Sequence, residues 1–196
     1  ALSRLALLAG AQGITVHPVP LSEAEIDVYY NRFSNRTLWP LYHDAIRSPE
    51  FDHSWWRPYV VVNHRYAKQV AALAKRNALV WVHDYHLIPL AAELRRMDLR
   101  QPLGFFLHIP FPHIEALRAL PVCAEIVRDL VQYDLVGFQT ARDLECFRSA
   151  VAEVLGPAAL RPDGSIQAGG RRTRVGVFPI GVDVDEIQRE SRSSLS

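Results

Sequence analysis

Cysteine is scarce: Cys123 and Cys146 are the only 2 in 196 residues. Both fall in stretches that read as helix, without C-x-x-C spacing, so neither a disulfide framework nor a structural zinc site is expected. Long apolar runs are lacking too. The longest, Leu5 to Ala11 and Ala78 to Val82, fall far short of the ~20 residues a membrane span needs, and no membrane partner is expected. Neither sign of charge dominates: 22 Lys and Arg against 21 Asp and Glu leave a formal net charge of +1, too balanced to argue for nucleic acid or an anionic surface. Any anion must therefore be caught by local geometry. No G-x-G-x-x-G follows a strand pattern, and neither G-x-x-x-x-G-K-[ST] nor G-x-S-x-G occurs. Classical dinucleotide, P-loop and α/β-hydrolase roles are thereby disfavoured. The opening Ala1-Leu2-Ser3-Arg4 lacks an A-x-A-like cleavage site, which points to the cytoplasm. It also lacks an initiating Met, which makes a fragment the expectation.

What is present is the make-up of a folded chain. Hydrophobic residues are 49% and charged residues 22%, with Gly at 10 and Pro at 13, which excludes low complexity and points to one domain. Gly10 and Gly13 stop a helix over 1–12, and Ile14 to Val19 reads as a short strand closed by Pro18 and Pro20. Ser22-Glu23-Ala24-Glu25 is a capping box that starts a helix running into the 30s. A loop dense in aromatic and polar residues, Phe51 to Trp56, precedes a helix over 59–76. Beyond it, apolar runs at 78–82, 103–107, 135–138 and 175–178 alternate with helical stretches at 87–97, 114–119, 122–132 and 141–155. A Gly169-Gly170 turn joins the last run to a hairpin partner over 165–168. Short, unalternating strands separated by helices imply a parallel sheet buried by helices on both faces, an α/β fold. The domain is expected over 1–190, with 191–196 a frayed or truncated end.

In parallel sheets, ligands bind beyond the carboxyl ends of the strands. Here those ends carry His83-Asp84-Tyr85-His86, His108-Ile109-Pro110-Phe111-Pro112 and Gln139-Thr140, so imidazoles, a carboxylate and neutral polar groups converge on one sheet edge. A metal at His83, Asp84 and His86 fits poorly, because the histidines are not at i, i+4 on a helix and no third spaced ligand follows. Asp84 can accept a hydroxyl proton while a neighbouring histidine donates to a developing oxyanion. On spacing alone it can equally cap the helix beginning near Leu87. Arg32 and Arg36, near Tyr30 and Trp39, can face a phosphate beside sugar-stacking aromatics, or form a solvated helix face over a core.

These residues also resemble a known family. Tyr30-Asn31-Arg32-Phe33-Ser34-Asn35, Leu38-Trp39-Pro40, Trp81 to Pro89, Gly104 to Pro112, Asp134 to Thr140 and Val177 to Asp183 closely resemble the trehalose-6-phosphate synthases, over nearly the whole chain from about 14 to 188. The resemblance implies a retaining glycosyltransferase with two facing Rossmann-like domains (the GT-B arrangement), of which this chain is most of the N-terminal, acceptor-side half. It implies transfer of glucose from UDP-glucose to glucose 6-phosphate, with no metal and no cofactor beyond the co-substrate. Carried over residue by residue, Tyr30 and Trp39 contact glucose 6-phosphate, Asp84 contacts the acceptor sugar and His108 lies against the donor glucose. Trp39 and Ile109 shape the pocket that fixes the anomeric outcome. The family's phosphate-binding arginine and glycine-rich donor loop, and the donor-binding second domain, find no match here, so the isolated chain is expected to be inactive. Alternatives are a related synthase with another acceptor, such as glycerol 3-phosphate, and a non-catalytic fragment that binds a sugar phosphate. Oligomeric state is left open, a homo-oligomer included.

Overall fold

The computed structural model describes residues 9–43 and 47–193. Most of the helix expected over 1–12, and residues 194–196 of the end expected to be frayed or truncated, lie outside the described residues. The helices are α1 (Glu23–Glu25), α2 (Trp39–Tyr42), α3 (His53–Leu73), α4 (Leu90–Arg96), α5 (Ile114–Leu117), α6 (Cys123–Leu130), α7 (Ala141–Leu155) and α8 (Val184–Ser193). A π-helix, Ile26–Leu38, links α1 to α2. The strands are β1 (Val80–His83), β2 (Leu103–Phe106), β3 (Leu135–Phe138), β4 (Ile166–Ala168) and β5 (Arg171–Val177), in the order β1-β2-β3-β5-β4. Strands β1, β2, β3 and β5 run parallel, and β4 closes one edge antiparallel to β5. Gly169 and Gly170 hold φ of 55° and 76° in the turn between them, the left-handed pair a tight two-residue hairpin requires.

The alternation of strand and helix is the one the sequence implies, and the carboxyl ends of β1, β2 and β3 lie side by side. Val82, Phe105, Val136 and Phe138 are at most 3% exposed. They share a face with α7, whose Phe147 ring lies 5.2 Å from that of Phe138. The opposite face carries Trp81, 62% exposed, and with Gly104, Phe106 and Gly137 it borders a cavity of about 490 Å³.

Local departures have local causes. The strand expected at 14–19 does not form: Pro18 and Pro20 have no N–H to give a ladder, and Ile14 stands 55% exposed. Helix α3 begins at His53, inside the expected loop, because the Asp52 side chain accepts from the Ser54 N–H at 2.8 Å, and Pro58 is carried within the helix. It ends at Leu73, three residues early, where Ala74 turns to ψ 111° and Gln101 Nε2 takes the Lys75 carbonyl at 3.0 Å. The helix expected over 87–97 divides into a 3₁₀ turn, Tyr85–Leu87, and α4, because Pro89 supplies no N–H between them. The end expected to fray at 191 begins inside α8, which runs to Ser193.

The capping box at Ser22 and Glu25 is present, but the helix it starts winds with i→i+5 bonds over 26–38. Residues five apart therefore face one another, as neighbours three or four apart do in an α-helix. Arg32 Nε donates to Asp27 Oδ2 at 2.8 Å, the Ser34 hydroxyl donates to the Tyr29 carbonyl at 2.7 Å, and Trp39 N bonds Ser34 O. Wide winding of this kind is rare and concentrates at functional sites.

Candidate functional site

Asp84 follows the last residue of β1 with φ 74° and ψ 166°, a region that costs a non-glycine residue about 1–3 kcal/mol and persists only where its surroundings enforce it. The enforcement is visible. The Asp84 N–H donates to the Phe106 carbonyl at 2.9 Å. Every carbonyl of the next three residues is taken by a side chain from another element. Tyr59 donates its hydroxyl to Tyr85 O at 2.5 Å, Tyr29 and Asn63 donate to His86 O at 3.1 Å each, and Tyr133 donates to Leu87 O at 2.8 Å. Tyr59 and Tyr133 are at most 1% exposed, and burial raises their hydroxyl pKa values well above the ordinary one, so they stay neutral donors.

The Asp84 side chain makes no capping bond to the turn that follows it, which removes the cap role. Its Oδ1 instead accepts from the His108 backbone N–H at 3.3 Å. Among the described residues Oδ2 has no protein hydrogen-bond partner and is open to a hydroxyl donor. Asp84 and His108, from two strand ends, are thus joined directly.

The two histidines beside Asp84 part company. His83 turns toward His108, with its Nδ1 2.9 Å from His108 Nε2. His86 turns the other way and stacks beneath Tyr30, ring centroids 5.3 Å apart at 14°. Burial lowers the His86 pKa, opposed by the Asp84 charge, so the ring is neutral above mildly acidic pH. Tyr30, 48% exposed, is in this way tied to the Asp84 turn. Trp39, 43% exposed, follows the π-helix and stacks on His43 at 4.2 Å. Ile109 packs partly buried against the core. Among the described residues no three His, Cys, Asp or Glu side chains converge as a ligand set would.

Other polar candidates are engaged structurally. Thr140 caps α7 with Asp143, and Gln139 Oε1 accepts from the Ile180 N–H at 3.0 Å. Arg32 pairs with Asp27 and lies 5.8 Å from the Trp55 ring, while Arg36 pairs with Glu50 at 3.7 Å. Arg32 thus has Asp27 as its carboxylate and Arg36 shares Glu50 with Arg47, whose guanidinium lies 2.8 Å from that carboxylate, as a solvated helix face would provide. Sequence reasoning missed the tyrosine clamp and the His83 to His108 contact. A tyrosine at 29, 59 or 133 carries no local signal, since its partner carbonyl is 26 to 57 positions away.

Residues 9–195 match the model of glycosyltransferase family 20. The chain is 41% identical over 190 residues to a trehalose-6-phosphate synthase of Mycolicibacterium gilvum, covering 92% of this chain and 37% of that protein. It superposes on an alpha,alpha-trehalose 6-phosphate synthase of Burkholderia multivorans with a TM-score of 0.82 at 40% identity, over 88% of this chain and 38% of that one. A UDP-forming alpha,alpha-trehalose-phosphate synthase of Burkholderia xenovorans, solved in complex with glucose-6-phosphate, gives a TM-score of 0.80 at 39% identity, over 89% and 39%. The chain thus spans well under half the length of the relatives it matches.

Proposed function

Because the chain belongs to glycosyltransferase family 20, we propose that it is the acceptor-side part of a UDP-glucose-dependent enzyme that transfers glucose to glucose 6-phosphate, with retention, to form trehalose 6-phosphate. The strained, clamped Asp84 with its free Oδ2 carries the assignment within this chain. The glucose 6-phosphate complex of the Burkholderia xenovorans relative supports the acceptor.

In this scheme Tyr30 and Trp39 bind the acceptor, Tyr30 held by the His86 ring and Trp39 by the His43 ring. Asp84 Oδ2 accepts a bond from an acceptor hydroxyl and orients it, and the clamp on the following carbonyls keeps that oxygen in place, so little reorganisation is left to the reaction. His108 lies against the donor glucose, with its backbone fixed by Asp84 Oδ1. Ile109 and Trp39 bound the space that selects the anomer. In this scheme retention is front-side, without the carboxylate nucleophile of the two-carboxylate route. The acceptor hydroxyl is therefore assigned attack on the leaving-group face, with its proton passing to a donor phosphate oxygen. UDP-glucose serves as co-substrate, and the scheme asks for no other cofactor.

Calorimetric titration of the 196-residue chain with glucose 6-phosphate tests the acceptor half. Binding is expected, weakened about 5- to 30-fold by Tyr30→Phe if the lost hydroxyl bond is worth about 1–2 kcal/mol. Glycerol 3-phosphate is expected to bind more weakly. Equal affinity for both would favour another acceptor, and binding indifferent to Tyr30→Phe and Asp84→Asn would overturn the placement of the site.

A further inference from the structure

We propose that His83 is a positioning residue for His108, and that the two imidazoles act as one hydrogen-bonded pair that takes up a single proton and resists a second. The inference rests on the assignment of His108 to the donor side, but the pairing itself is a property of the free protein.

The geometry leaves room for one hydrogen. His83 Nδ1 and His108 Nε2 stand 2.9 Å apart, a normal N–H···N distance, so one nitrogen donates and the other must keep its lone pair. Two imidazolium rings would set N–H against N–H. The rings are held to this contact from outside. The His83 ring lies 4.4 Å from that of Trp81, the His108 ring 4.8 Å from that of Phe106 in an edge-on arrangement, and the two imidazoles themselves are near parallel at 27°. The His108 backbone is fixed by Asp84 Oδ1. Strand register explains why the pair forms: His83 is aligned with Phe106, so the chain leaving β2 carries His108 back across the end of β1.

Asp84 is the charged group next to the pair. Around the rest of the cavity both rings line, β3 contributes Gly137, and the segment after β5 contributes Phe178 and Ile180, none of which titrates. The other charged lining residues, Asp134 and Arg174, are aligned with the opposite, amino ends of the strands. Burial and the neighbouring His108 both hold His83 below the ordinary imidazole value, with Asp84 pulling the other way. A pair so arranged fixes the His108 ring and the number of protons it carries, as second partners of functional histidines commonly do.

The test is an NMR titration of the imidazole C–H signals in the 196-residue chain without substrate, so its outcome is separate from that of the binding experiment above. In wild type, two midpoints more than about one pH unit apart are expected. In His83→Phe, which keeps an aromatic ring on Trp81, the second of the two steps is expected to vanish. In His108→Phe, His83 is expected to rise toward the ordinary imidazole value, since coupling between two sites is reciprocal. The reciprocal variant decides the matter if the first does not fold. Independent single-step titrations in wild type, with midpoints unmoved by loss of the other ring, would overturn the proposal.

Discussion

At the scale of single residues, the stored strain at Asp84 has a sign that can be measured. In ordinary strand or helix positions Gly is about 0.5–1 kcal/mol less stabilising than Ala. At φ 74° and ψ 166° the order reverses, because a Cβ is disfavoured there and a glycine is not. Asp84→Gly is therefore expected to be more stable than Asp84→Ala by about 1–2 kcal/mol, read as the difference in urea midpoint at constant m. The Gly variant should at the same time lose the carboxylate bond to His108 and any affinity that depends on it. A higher stability for the Ala variant would show that the turn does not hold Asp84 in this conformation. The clamp that enforces the strain is made of three tyrosine hydroxyls and the Asn63 amide, all donating to the carbonyls that follow Asp84, so strain at the site is offset by bonds in the core.

At the scale of elements, two glycines on neighbouring strands have opposite reasons to be there. A Cβ on Gly137 of β3 would come within 2.8 Å of Phe106 Cδ2 and 3.0 Å of Phe178 Cδ2, whereas one on Gly104 of β2 would meet only Trp81 Cδ1 at 3.6 Å and the Val80 carbonyl at 4.0 Å. Gly137→Ala is expected to cost about 1–3 kcal/mol by overpacking. Gly104→Ala is expected to be neutral or to stabilise by up to about 1 kcal/mol through the entropy of the unfolded chain. Thermal melting of the two variants side by side checks both. Phe106 is also the ring against which His108 packs, so an overpacked Gly137 should disturb the His108 signals while the Gly104 variant leaves them in place.

At the scale of the whole molecule, stability should depend on pH with two opposing slopes. Asp129, on α6 among Glu93, Glu125 and Arg96, has its carboxyl raised from 3.8 to about 7, chiefly by burial, with Arg96 lowering it and Glu93 and Glu125 raising it. Between those values the folded chain holds a proton that the unfolded chain has released. The stability this contributes is therefore present below about pH 4 and is lost as pH rises to about 7. The His83 and His86 imidazoles are depressed below 6.5. There the unfolded chain holds more protons, and stability is lost as pH falls from about 6.5. Asp129→Asn is expected to raise the Tm at pH 8, to leave it nearly unchanged at pH 4, and so to shift the pH of greatest stability upward. A Tm difference independent of pH would show that Asp129 does not titrate in this range.

The sequence by itself determined the alternation of strand and helix, the parallel sheet with its closing hairpin, and the arrival of His83, Asp84, His108 and Gln139 at carboxyl ends of strands. Each of these depends on local quantities: the length of an apolar run, a capping pair such as Ser22 and Glu25, and a Gly169-Gly170 turn. Only the tertiary structure decided what those strand ends do. That Asp84 bonds His108 rather than capping its own turn follows from β1 lying beside β2. The separation of His83 from His86 to either side of Asp84 follows from a backbone conformation held by Tyr29, Tyr59, Asn63 and Tyr133. The i→i+5 winding beneath Tyr30 likewise has no local mark, since Ser34 reads in sequence as an ordinary polar helix residue. Bonds between residues tens of positions apart are chosen by packing, and a pattern read along the chain registers which residues are present without registering which of them will meet.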